Sequence, residues 1–183
     1  YTALLTMNVI DYHSGTAVAG AWDGVPRTTT SSPDTNCWGT HKTQGTGSFL
    51  RVDFPTPIPA QGVGIIGVLD AVDCAASFAV NDQIVSYMCT GTQCRNGMYA
   101  PSVDVTKDEE NNFPQTRIQA TGLTSVSSLE LRYVAGRTSE GGFNIAIVDL
   151  LCGDGSWQTL TGTVESDTTS STGDATVSVS VPD

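Results

Sequence analysis

The segment Phe49–Val80, FLRVDFPTPIPAQGVGIIGVLDAVDCAASFAV, holds two dense apolar strands and the corner between them. Over its first six residues Leu50, Val52 and Phe54 fall on one side and Arg51 and Asp53 on the other. That is the period of a strand with one dry face. Arg51 and Asp53, alternating out of this strand, are placed to form an ion pair. Pro55, Pro57 and Pro59 follow; each lacks a backbone donor and fixes its own φ, so the ladder is expected to stop there. Val63–Leu69 resumes with β-branched residues, and Gly62, Gly64 and Gly67 around them point to bulges or close backbone approach rather than helix.

The same patterning extends outward in both directions. Tyr1–Ile10 puts Ala3, Leu5, Met7 and Val9 on one side, as a half-buried strand does. Asp11–Ser48 reads as a long loop, and loops of that length in a compact domain are commonly functional or stapled. Gln83–Met88, Thr116–Ala120, Ser128–Ala135 and the nearly continuous apolar run Phe143–Leu151 are further strands. Asp104–Asn112, DVTKDEENN, reads as a solvated acidic loop without the ligand spacing of an EF-hand. Thr163–Gly173 reads as a polar linker, and Ala175–Val181 returns to strict alternation with Val177, Val179 and Val181 on one face. That last strand fits either an edge of its own sheet, which its high effective concentration favours, or the sheet of a neighbouring subunit. About eight short strands separated by turn signals, with no convincing helical period, predict an all-β fold: an antiparallel β-sandwich of jelly-roll type over residues 1–162, followed by a linker and C-terminal strand over 163–183.

Composition narrows the chemistry. Among 183 residues, 8 Lys and Arg face 19 Asp and Glu, a formal charge of −11 that repels phosphate backbones and anionic lipid and so disfavours a nucleic-acid partner. A neutral ligand such as a sugar, or calcium, suits that balance. No apolar run reaches the length of a membrane span. The sequence opens on Tyr1 without Met, which suits a mature secreted chain from which a signal peptide has been removed. Five cysteines in a Lys-poor, Thr/Ser/Gly-rich chain suggest an oxidising compartment, with two disulfides and one thiol left over. Cys89 and Cys94, with four residues between them, favour a local disulfide over a metal knuckle, which prefers two intervening residues and a second pair.

Catalytic signals are sparse. The two histidines, His13 and His41, sit in no nucleophile or metal motif, and no recognisable pair of carboxylates marks a hydrolase, so the chain is read as a non-enzyme. The tryptophans are more informative. Trp22 and Trp38 lie in the long first loop, where an exposed ring either stacks on a sugar or partner or packs over the end of the sandwich. Trp157 is the third.

In their order along the chain, several short motifs resemble those of the galactose-binding-like sandwich of discoidin domains, and of the fucose-binding F-type lectins in particular. Ala21-Trp22-Asp23-Gly24, Asn36-Cys37 with Thr40-His41, Leu50-Arg51-Val52-Asp53-Phe54, Val63–Val68, Asp73-Cys74 and Leu150-Leu151-Cys152 carry the resemblance over about 140 residues. It implies a Cys37–Cys152 disulfide and a Cys89–Cys94 disulfide, with Cys74 as the unpaired thiol because Ala75 stands where the family has a second cysteine. Closing a loop of more than a hundred residues is worth about 4 to 5 kcal/mol in chain-entropy terms. It also implies a calcium site through Asp23, Asn36 and Asp154, although Gly153 replaces a family glutamate. Of the family's fucose donors only His41 is matched; Ala71 and Phe78 stand where two arginines would be, so fucose binding in that manner is not expected.

The resulting expectation is a secreted or cell-surface, non-catalytic module that binds carbohydrate or another extracellular surface ligand through Trp22, Trp38 and His41. The alternative is a structural subunit of an extracellular assembly or filament, in which the surface contacts neighbouring copies.

Overall fold

A computed structural model describes residues 1–8, 18–19, 38–43, 47–70, 74–89, 104–107, 114–136, 141–166 and 172–180. They form fourteen strands: β1 (Thr2–Asn8), β2 (Val18–Ala19), β3 (Trp38–Thr43), β4 (Phe49–Pro59), β5 (Gly62–Asp70), β6 (Cys74–Val80), β7 (Gln83–Cys89), β8 (Asp104–Lys107), β9 (Pro114–Thr121), β10 (Ser125–Gly136), β11 (Gly141–Leu151), β12 (Trp157–Thr159), β13 (Thr161–Ser166) and β14 (Thr172–Ser180). They assemble into two antiparallel sheets. The first has the order β13-β14-β1-β4-β10-β6-β7, and the second β2-β3-β11-β5-β9-β8 with β12 also on β11.

One apolar cluster joins the two sheets, as expected of a sandwich. In the first sheet the pairing register aligns Leu5, Val52, Leu129 and Val80 across four strands, and Leu50, Leu131 and Phe78 in the next inward row. The second sheet contributes Val63 beside Leu150 and Ile65 beside Val148. Every side chain named in these rows is buried. The period-2 reading of Leu50, Val52 and Phe54 therefore holds, as does that of Ala3 and Leu5.

The prolines behave differently from expectation. Extended backbone continues through them to Pro59, although the ladder does lapse. Pairing with β1 ends at Asp53, while pairing with β10 jumps from Asp53–Ser128 to Ile58–Val126. Over this gap Pro55, Thr56 and Pro57 are exposed, and Ile58 returns to the core. A proline φ near −65° is compatible with extended chain; what it forbids is the donated hydrogen bond.

Just beyond, at Ala60–Gln61, the chain leaves the first sheet and enters the second. A second crossing, Gly122–Thr124 between β9 and β10, lies alongside it: Leu123 N–H donates to Gln61 O (3.0 Å), and Gln61 N–H to Leu151 O (2.9 Å). Gly62 is required here, because a Cβ would come within 2.8 Å of Ala120 O and 3.1 Å of Leu151 Cβ. A third crossing, between β12 and β13, is the single buried residue Leu160, whose N–H donates to Val148 O (2.7 Å).

Several other elements depart from the sequence reading. Asp104–Lys107, expected within an acidic loop, is a short strand on β9, while the rest of that loop lies outside the described residues. Thr163–Ser166, expected as linker, belongs to β13, so the boundary expected at 162 falls inside a strand. The C-terminal strand β14 pairs with β1 of the same chain, from Thr2–Ser178 to Asn8–Thr172, the intramolecular one of the two dockings. Asp104–Lys107 and Thr163–Ser166 carry little apolar alternation, so neighbouring strands rather than their own sequence define them.

The β6–β7 hairpin turns on two residues, Asn81 and Asp82, both at positive φ (51° and 65°), the geometry of a primed turn. Asn81 also grips β10 where its register shifts: its Nδ2 donates to Ser125 O (2.9 Å), and its Oδ1 accepts from Ser127 N (2.8 Å) and Ser127 Oγ (3.0 Å). Asn81→Ala is expected to lower stability by about 1 to 3 kcal/mol, from lost hydrogen bonds plus left-handed strain, and Asn81→Gly by less, since glycine keeps the turn conformation. Equal unfolding midpoints for the two variants and the parent in a urea titration would contradict this role.

Candidate functional site

The residues expected to form a ligand site fall into three groups. Trp38 and His41 lie together on β3, one strand in from the described edge of the second sheet. Trp38 pairs with Ile145 and with Ala19. Between Thr43–Gly141 and Thr40–Phe143, two β3 residues, His41 and Lys42, oppose the single residue Gly142, which makes a β-bulge. Bulges at sheet margins commonly re-aim side chains or end a ladder beside functional sites. Trp22, Asp23, Asn36, Cys37 and Cys94 lie outside the described residues.

At the other end of β11, Cys152–Ser156 forms the turn into β12. Cys152 N–H donates to Ser156 O (2.8 Å), Gly155 N–H donates to Cys152 O (3.0 Å), and Gly155 has a φ of 87°. Asp154 is exposed, and its Oδ1 accepts from Ser156 N (2.9 Å) and Ser156 Oγ (2.6 Å). These bonds hold its carboxyl below the usual aspartate value, the hydroxyl contributing most. Asp154 thus serves its own turn. Cys152 carries a free, half-buried thiol, with Sγ 4.0 Å from Leu150 O, so the bridge implied to Cys37 is not formed at this sulfur. Cys74 opens β6 and Cys89 closes β7.

A third group was only half legible. On the outer face of the first sheet, Arg51 Nε donates to both carboxylate oxygens of Asp53 (3.0 and 2.9 Å), as the alternation of those two residues suggested. Its Nη1 reaches Asp82 Oδ1 at 2.8 Å and Glu130 Oε2 at 3.4 Å. Glu130 Oε1 in turn accepts from Arg132 Nε (2.8 Å), and the Arg132 guanidinium lies 4.6 Å from the Phe49 ring centroid while its Nη1 donates to Gly47 O (3.1 Å). Arg51, with its side chain 24% exposed, is held firmly charged, first by the hydrogen bond to Asp53 and then by Asp82 against the cost of burial. Glu130 and Arg132 could have been found in Leu129–Tyr133, where they alternate outward from Leu129 and Leu131. Asp82 could not, because its contribution depends on the turn.

This network holds charges of both signs among its five groups, and it joins β4, β10 and the β6–β7 turn. Its chemistry is that of a clamp: the carboxylates are matched by guanidinium groups rather than aimed into a cleft. Elsewhere, the nearly buried Asp149 accepts from Thr159 Oγ1 (2.8 Å), tying β11 to β12. An open groove of about 520 Å³ is lined by Tyr1, Thr2, Pro55 and Thr56. No group of His, Cys, Asp and Glu suited to a metal occurs among the described residues. No helix is long and apolar enough to cross a membrane, again among the described residues.

No protein-family model, curated protein or solved structure matches the chain.

The turn at Asp154 gives a pH prediction. A carboxyl whose folded value is depressed contributes stability that is present above its unfolded value and is lost as pH falls through the folded one. NMR titration is expected to place the Asp154 midpoint below that of an ordinary aspartate, and Ser156→Ala to raise it. An unchanged midpoint in Ser156→Ala would mean that the hydroxyl bond is not formed in solution.

Proposed function

We propose that the chain is a non-catalytic, extracellular binding module, secreted or at the cell surface, that engages a carbohydrate or another extracellular surface ligand beside β3. The observation that carries this reading is the placement of Trp38 and His41 on one short strand near the described edge of a sheet, with the bulge at His41–Lys42. An aromatic ring offers a stacking surface for a sugar, and an imidazole offers a directional hydrogen bond. Trp22 belongs to the same proposal through the sequence alone. The acidic balance of the chain suits a neutral ligand better than a phosphate-rich one. Jelly-roll connectivity of the galactose-binding-like kind and calcium held through Asp23 and Asn36 with Asp154 belong to this proposal as well and rest on the resemblance of short motifs, as does a Cys89–Cys94 disulfide, which the spacing of the two cysteines also favours.

The second reading, a structural subunit of an extracellular assembly, is favoured by a different observation. Ile84 and Val85 are 57% and 43% exposed on β7, which stands last in the first sheet among the described residues. Neutral apolar surface at a sheet margin suits a protein neighbour better than a sugar.

A glycan array separates the two readings. Binding to at least one neutral glycan class is expected, reduced about tenfold or more by Trp38→Ala and by His41→Ala in variants that still melt cooperatively. An array without binders, or binding indifferent to both substitutions, overturns the carbohydrate reading at β3.

A further inference from the structure

The ladder between β1 and β4 ends at Leu4–Asp53; continued in the same register, it would pair Thr2 with Pro55 and Tyr1 with Thr56. Those four residues line the open groove of about 520 Å³, so the groove is the split left by rungs that do not form. Proline is the cause. Tyr1 N donates to Val179 O (3.2 Å) and Val179 N–H donates to Tyr1 O (2.9 Å), which makes Tyr1 a bonded partner of β14. By the alternation of an antiparallel ladder, the main-chain N–H and C=O of Thr2 then point the other way, towards β4. Pro55 stands there without an N–H to give. All four lining residues are exposed.

We infer that this split is a binding site for a neutral carbohydrate of one or two rings. Its volume falls among small-ligand sites, which run from about 300 to 1,000 Å³. Two missing rungs span only about 7 Å, too short for a docked strand. The lining selects the ligand. The Tyr1 ring and the pyrrolidine of Pro55 offer apolar surface to the C–H face of a sugar, while the hydroxyls of Thr2 and Thr56 can each donate and accept. The main chain of Thr2 adds one donor and one acceptor turned towards the split. None of the lining side chains is charged, in a chain whose formal charge is −11, and Asp53 at the last formed rung is engaged by Arg51 at 2.9 Å. An ionic ligand therefore finds no counter-charge there, whereas a polyhydroxylated neutral one finds a partner for its hydroxyls and a surface for its ring. Ser178, which pairs with Thr2 on β14 and is exposed, continues the hydroxyl surface sideways. The site shares a ligand class with the reading at β3 but none of its residues, and it lies on the other sheet, so the two stand or fall separately.

Amide NMR spectra of the full chain, titrated with the methyl pyranosides of glucose, galactose, mannose and N-acetylglucosamine and with cellobiose and lactose, test this. At least one of these sugars is expected to give saturable shifts at the amides of Thr2, Leu4 and Thr56, with a dissociation constant of about 1 mM. Tyr1→Ala is expected to weaken that binding about fivefold or more, and Thr56→Val, which keeps the side-chain shape and removes the hydroxyl, about threefold or more. Both positions are exposed, so both variants are expected to keep the parent's spectrum elsewhere. No saturable shift at these three amides with any of the sugars overturns the site. Saturable shifts confined to the amides of β3 overturn it while leaving the reading at β3 in place. Binding at the split that both folded variants leave unchanged overturns it as well. Should Tyr1→Ala fail to fold, Thr56→Val decides alone, by whether it weakens binding.

Discussion

The structure depends on the burial of one face of β4. Leu50, Val52, Phe54 and Ile58 are all buried, and the first two stand in register with core residues of β10. Each such side chain is worth about 1.5 to 3 kcal/mol when removed from water, so this one strand contributes an amount comparable to the whole net stability of a domain. The same strand then carries the chain out of its sheet. Because Pro55, Pro57 and Pro59 donate no hydrogen bonds, their segment can run extended without partners on the β1 side and deliver the chain to Ala60–Gln61, where the second sheet begins. Two crossings bonded to each other through Gln61 close that end of the sandwich.

The opposite face of the same sheet is organised by charge. Arg51 holds Asp53, Asp82 and Glu130, and Glu130 shares itself with Arg132, so strands whose apolar faces already align are also matched on their polar faces. Energetically the arrangement is modest, since Asp82 is largely exposed and surface pairs contribute about 0 to 1 kcal/mol each. Its value lies in register. A one-residue slip of β4 against β10 would bring Arg51 into the core and expel Val52, an error that both faces oppose. Asn81 acts in the same sense by fastening the β6–β7 turn to β10.

What the sequence revealed followed its alternation. Strands with a dry face and a wet face, β1, β4 and β14, were legible from Ala3 and Leu5, from Leu50 to Phe54, and from Val177 and Val179. The nearly continuous run of β11 identified a core strand. Strands without that contrast were not legible. Asp104–Lys107 reads as an acidic loop because only Val105 is apolar, and Thr163–Ser166 reads as linker because a strand whose partner is polar β14 needs little apolar surface of its own. The prolines were half legible: their missing donors predict a lapse in pairing, and they say nothing against extended backbone. The candidate site shows the same division. Arg51 and Asp53 were visible as neighbours on one face, while Asp82 and Asn81 act through a turn of positive φ that a pair of residue types cannot specify. Cys152 as a free thiol was not foreseen, since its pairing with Cys37 came from the resemblance of short motifs and not from the residues themselves.

Amide hydrogen exchange on the native protein tests the central claim directly. If burial of β4 between β1 and β10 holds the sandwich together, the amides of Phe49–Asp53 should exchange only through global unfolding, with the same free energy as denaturant unfolding gives, while those of Gln83–Tyr87 exchange faster through local opening. Exchange at Phe49–Asp53 as fast as at Gln83–Tyr87 would contradict the account, because the strand said to hold both sheets together would then open without them.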